Sequence, residues 1–208
     1  MLEPLDRKLN IAILGTICTI AFIVVVSASL TQAMAQMNHI QNNNATANKR
    51  TMVFEPYENP SLGIKLQHPK DWSVSTQKLG QTTVIRLNST RQSDMETIPS
   101  VILVSIEALP QNSKTLDDLT RSNMAEAAKL NNFHLIESNT TQLGDHVAKK
   151  ILYSYSSDDP SLTFPLKSMD IWTVSNGKKY IFSYIDAQHE FVKQLPVVNK
   201  ILGSIKIY

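Results

Sequence analysis

A chain of 208 residues with 42% apolar and 18% charged content suits one globular domain plus an extension; two domains would be a squeeze. Twenty basic against eighteen acidic side chains leave a net charge of +2, with no long run of like charge. That balance argues against nucleic acid as a partner, and as a whole-chain property it gives no attraction to an anionic membrane surface.

Ile11 to Leu30 is a twenty-residue run without a charge, preceded by Arg7 and Lys8 and followed by Ala33-Met34-Ala35. These are the parts of an export signal, yet the run is long enough to span a bilayer. Residues 1–35 are therefore either a signal peptide cleaved after Ala35 or a transmembrane helix kept as an anchor. Both readings leave the basic end in the cytoplasm and make the rest extracytoplasmic, secreted or held at the membrane. The single cysteine, Cys18, lies inside this run and follows Gly15-Thr16-Ile17, a poor lipoprotein box. The exported part then has no thiol for catalysis, disulfides or zinc. Residues 36–50 hold five asparagines and no aromatic or acidic side chain, the composition of a flexible tether. Asn44, Asn88 and Asn139 each begin a glycosylation triplet.

Residues 51–208 read as the folded domain, mostly β. Tyr57 to Trp72, YENPSLGIKLQHPKDW, contains a turn at Asn59-Pro60 to Gly63, a short alternating strand, and a proline that ends it. Trp72 is expected in the core. Val101 to Ala108 is apolar at nearly every position, so this strand is expected to be covered on both faces. Around Phe133 to Asn139 and Val147 to Ser156, Gly144-Asp145 joins two strands. Lys167 to Ser175 and Lys178 to Asp186 flank Asn176-Gly177, a strong hairpin signal.

Thr115 to Leu130 carries Leu116, Leu119, Ala127 and Leu130 on one helical stripe, with Thr115 to cap it and Asp117 and Asp118 near its positive end. Asn123 falls within that stripe and is expected to bond a neighbouring backbone group. A second helix is expected from about Glu190 to Leu202, with Pro196 starting or kinking its main turn. Ser204 to Tyr208 closes the chain as a strand.

Phe54-x-x-Tyr57-x-Asn59-Pro60-x-x-Gly63-Ile64, Pro69-x-x-Trp72, a helix after the long apolar strand, and the ending Leu195-Pro196 to Ser204-Ile205-Lys206-Ile207 together resemble a PsbP-like domain over about Met52 to Tyr208. The family is that of the extrinsic oxygen-evolving-complex protein of photosystem II. The resemblance implies an α+β fold: an antiparallel β-sheet with helices on both faces, an α/β/α sandwich shared with a Ran-binding nuclear import factor. It also implies a non-catalytic accessory protein that docks on a membrane protein complex, and raises the question of calcium. No EF-hand loop is present, and Asp158-Asp159 before Pro160 reads as an acidic loop. The chain departs from the family pattern at His68, where an aromatic is usual, and at Asp71. His68 is either a surface-edge stand-in for that aromatic or a ligand.

Among the histidines, His189 stands three residues after Asp186 at the start of the last helix. There Asp186 could cap the helix, or the two could hold a divalent metal such as calcium; two ligands do not close a site. No cofactor is otherwise implied. No Gly-x-Ser-x-Gly, His-Glu-x-x-His or phosphate loop occurs, so no catalytic residues are assigned. Three readings stand: an accessory protein on a membrane-associated complex, a monomeric domain held through the N-terminal segment; a small-ligand or metal-binding protein; or a hydrolase with a triad assembled from distant residues.

Overall fold

The computed structural model describes residues 52–90, 98–110 and 115–208. The chain divides into two units, Met1–Lys49 and Arg50–Tyr208, and the second holds everything described below. The signal or anchor, the tether, Cys18, His39 and the Asn44 triplet lie outside the described residues. Among the described residues no helix is long and apolar enough to cross a membrane.

Ten strands and two helices follow one another along the unit. The strands are β1 (Phe54–Asn59), β2 (Ile64–Pro69), β3 (Ser73–Leu79), β4 (Thr82–Asn88) and β5 (Val101–Ala108), then, after helix α1 (Leu116–Ala127), β6 (His134–Leu143), β7 (His146–Tyr155), β8 (Leu166–Ser175) and β9 (Lys178–Ala187). Helix α2 (Phe191–Gly203) and β10 (Lys206–Ile207) end the chain. Seven strands form one antiparallel sheet in the order β3-β4-β5-β9-β8-β7-β6, and β1-β2-β10 form a small second sheet.

The large sheet has two buried faces. On one, Tyr180, Phe182 and Tyr184 of β9 meet Phe191, Val198 and Ile201 of α2, together with Ile64 and Leu66 of the small sheet. On the other lies α1, where Thr120 Oγ1 accepts from Trp172 Nε1 at 3.1 Å and Asp117 pairs with Lys149 of β7 at 3.8 Å. The expected α/β/α sandwich of the α+β class is the fold found, with the small sheet packed beside α2. β5 sits between β4 and β9, and its first four residues are all buried. A near-continuous apolar run is what such a doubly covered strand requires.

The opening stretch forms the expected hairpin. Asn59 accepts Leu62 N with its side chain at 3.2 Å, Gly63 turns the corner at φ +72°, and β1 pairs with β2 from Phe54↔Pro69 to Asn59↔Ile64. A side chain at position 63 would put its Cβ 2.5 Å from Tyr208 O, so glycine is needed for space as well as for φ. Trp72 is 4% exposed and belongs to the main core. Asn176 and Gly177 both take positive φ, the conformation a tight two-residue hairpin demands.

Four expectations are corrected. β6 extends to Leu143, beyond the Asn139 suggested by its polar second half. β3 and β4 pair about a turn at Gly80, a hairpin the sequence reading did not delimit. His68 is buried, 5% exposed, because it follows Ile64 and Leu66 on the core-facing side of β2; Nδ1 lies 2.9 Å from Pro69 O and Nε2 3.8 Å from Glu55. Asp186 does not cap α2, since β9 runs one residue further and leaves it in the ladder; Glu190 stands at the N-cap without a side-chain bond.

Candidate functional site

The predicted residues Asp186 and His189 lie at the end of β9, where the chain turns into α2. Asp186 is 1% exposed and shares its face with Tyr184. Its Oδ2 accepts from Ser100 Oγ at 2.5 Å and from the Tyr184 hydroxyl at 2.9 Å, and its Oδ1 accepts from Ala187 N at 2.8 Å. Burial pushes the Asp186 carboxyl above the usual aspartate value, against the pull of those donors. The Tyr184 hydroxyl also reaches Phe191 O at 2.9 Å, while the two rings stack at 4.4 Å. This corner therefore ties the start of α2 to the sheet.

His189 lies outside that network. Its side chain is 54% exposed, with Nε2 3.6 Å from Glu190 Oε1 and the ring edge-on to Phe164 at 6.1 Å. Glu190 also pairs with Lys193 at 2.8 Å. As placed, the Asp186 and His189 pair offers a cation one exposed imidazole and one carboxyl whose oxygens are already bonded, an arrangement that does not fit a hard divalent ion. Among the described residues no group of three or more metal-ligating side chains comes together.

A second carboxyl, half-buried, escaped the sequence reading. On the α1 face of β8, Asp170 accepts from the Tyr153 hydroxyl at 2.8 Å and from Ser168 Oγ at 2.9 Å, with Ser183 a further donor. Burial raises this carboxyl as well, and burial with the Asp170 charge raises the phenols of Tyr153 and Tyr155. The only sequence signal was a single acidic residue within the strand LKSMDIWTVS. On the same face of β4, burial lowers the Arg86 guanidinium to about 10, and its Nε donates to Asn88 at 2.8 Å. Above, on α1, Asn123 Nδ2 is buried with no hydrogen-bond partner, which corrects the expected backbone bond.

Both clusters are chemically similar. In both, serine hydroxyls donate to a carboxyl that burial holds above the usual aspartate value. These bonds tie the segment before β5 to β9 and β7 to β8. β3 and β6 are the open edges of the large sheet, and β6 exposes Leu135 and Ile136. The outer stripe of α2, Val192, Pro196, Asn199 and Lys200, is exposed and free of carboxylates.

A sequence model described as PsbP-like protein matches residues 13–191. Among solved structures, cyanobacterial PsbP (CyanoP) from Synechocystis sp. PCC 6803 aligns with TM-score 0.54 at 16% identity, covering 79% of this chain and 98% of that one. LpqN, involved in cell envelope biogenesis of Mycobacterium tuberculosis, aligns with TM-score 0.52 at 16% identity over 83% and 93% of the two chains. PA94 from Pseudomonas aeruginosa gives 0.51 at 13% identity over 73% and 94%. No curated protein matches the chain.

Proposed function

Because the chain belongs to the PsbP-like protein family, we propose that it is a non-catalytic accessory module that binds a membrane-associated protein complex on the extracytoplasmic side. The observation that carries this reading is the state of the two interior clusters. Asp186 and Asp170 each accept bonds from hydroxyl or amide donors of the fold itself, which supports a structural rather than a catalytic use of these carboxyls. What remains for function is surface: two sheet edges and an exposed helix stripe.

The test is crosslinking in native membranes followed by mass spectrometry, with a hydrolase panel and a calcium titration on the purified protein. Recovery of one membrane complex, with no turnover and no stoichiometric metal, is the expected result. Turnover, or tight metal binding lost in Asp186→Asn and His189→Ala, would replace this reading with one of its rivals.

A further inference from the structure

We propose that the outer edge of β6 is an interface at which two copies of this chain join, antiparallel about a two-fold axis near Thr140, into one continuous sheet. This goes beyond the accessory-module reading and does not depend on it. Among the described residues four strands stand at a sheet edge, and three of them carry a guard against pairing. β1 has Pro56 in its middle, β10 is two residues long, and β3 carries Lys78 and is tied through Thr76 Oγ1 to the Tyr57 hydroxyl at 2.9 Å. β6 has ten residues and no proline, lysine or arginine. Its one irregularity lies near its start, between Leu135 and Glu137.

The ladder shows which groups that edge offers. The two-residue turn Gly144-Asp145 closes on the pair Leu143↔His146, so Thr141 and Asn139 turn their N–H and C=O toward β7, while Gln142, Thr140 and Ser138 turn theirs outward. Val147 has the same phase: its carbonyl turns to the β8 side and accepts from Thr173 Oγ1 at 2.7 Å, so its partner Gln142 faces away from β7. The side chains of Ser138, Asn139, Thr140 and Gln142 are exposed. An accessible row of outward main-chain groups is what an added strand binds.

Charge decides the occupant. Pairing about a two-fold axis sets a stretch against its own copy, so a charge near the axis meets a like charge, a cost that an unrelated partner strand need not impose. Ser138 to Leu143 contains no charged side chain, and Glu137 at its margin is held by Lys150 at 3.0 Å and by the Asn139 amide. Lys149, one strand further in, donates to Thr140 Oγ1 at 3.1 Å and pairs with Asp117. With Thr140 opposite Thr140, Ser138 faces Gln142 and Asn139 faces Thr141, all uncharged and able to hydrogen-bond. An edge built for a charged strand would place the opposite charge along this stretch.

The test is sedimentation equilibrium of the full chain in mild detergent, beside short bis-maleimide crosslinking of one thiol on a Cys18→Ala background, at Thr140→Cys on β6 or at Ser75→Cys on the β3 edge. The mass should rise to two copies with concentration, and Thr140→Cys should join copies while Ser75→Cys should not. Thr140→Pro removes an outward donor and leaves the β7 ladder whole, so it should weaken association about tenfold or more while keeping the parent's thermal unfolding. Should that variant unfold, Thr140→Lys, which sets like charges together at the axis, should weaken association as much. A one-copy mass at every concentration the protein tolerates overturns the proposal. So does a two-copy mass kept by both variants, or crosslinking at residue 75 that matches residue 140. A glycan on Asn139 in protein taken from its own membranes also overturns it, since the sugar would stand where the second copy must.

Discussion

Trp72 and Asp170 show two ways in which one side chain supports this fold. Trp72 fills space: it closes the first hairpin against the main core, and Trp72→Ala should cost about 3 to 5 kcal/mol in denaturant unfolding, as for other large buried aromatics. A loss under about 1 kcal/mol would mean the site collapses freely or the ring packs less than its burial implies. Asp170 works through bonding. Its raised carboxyl binds a proton more readily folded than unfolded, so its contribution is complete below the unfolded value near 3.8 and declines as pH climbs toward the raised folded value. Asp170→Asn, which keeps the shape without the titration, should flatten that decline. Its stability at neutral pH should lie within about 1 kcal/mol of the parent, whereas Asp170→Ala, which strands Tyr153 and Ser168, should lose about 2 kcal/mol or more. If stability of the parent does not fall over that window, the carboxyl is ionised in the fold. Trp72 was legible because a large aromatic after a strand-ending proline has few places to go. Asp170 was not, since two of its partners, Tyr153 and Ser183, come from β7 and β9 and only the sheet register brings them together.

At the scale of single elements, chain-local chemistry decided what could be read. α1 begins where Thr115 accepts from Asp118 N at 3.2 Å and Asp118 returns the bond to Thr115 N at 3.0 Å. This reciprocal cap was visible as Thr-x-x-Asp, and Thr115→Ala should remove about 1 kcal/mol, read from thermal unfolding. The hairpin at Asn176-Gly177 was legible for the same reason, two adjacent residues fixing a turn. β6 was hard to delimit because an edge strand buries little: seven of its residues are exposed, so no apolar alternation marks its second half, and only pairing with β7 defines it. Asn123 breaks the pattern in the opposite direction, a polar group in an apolar stripe whose amide nitrogen finds no acceptor. Asn123→Leu should therefore be neutral or stabilising by up to about 1 kcal/mol, since it removes an unmet donor. A clear destabilisation would show that the amide has a partner after all, a bound water being the first candidate.

For the whole molecule, the sequence carried the architecture further than the site. Order of elements and one doubly buried central strand followed from periodicity and turns, because these are properties of contiguous stretches, whereas helices on two faces came only with the family resemblance. The Asp186 corner did not follow, because Ser100, Tyr184 and Phe191 converge there from three separate elements. Placement of the domain outside the cytoplasm is testable without any substitution: protease added to intact spheroplasts should digest residues 51–208 while a cytoplasmic control survives. Protection of both would place the domain inside.

β10 has a consequence for how the protein is made. Its two residues pair with Lys65 and Ile64 of β2, and Gln67 N donates to Ser204 Oγ from a position 137 residues earlier. The first hairpin to emerge from a ribosome or a translocation channel thus waits for the last residues before its sheet is complete. During that interval Ile64 and Leu66 have neither β10 beside them nor α2 above them, and the chain depends on whatever shields nascent apolar strands in its compartment. Vectorial synthesis and native topology run against each other here, so a chain stalled before Lys206 leaves the small sheet unfinished.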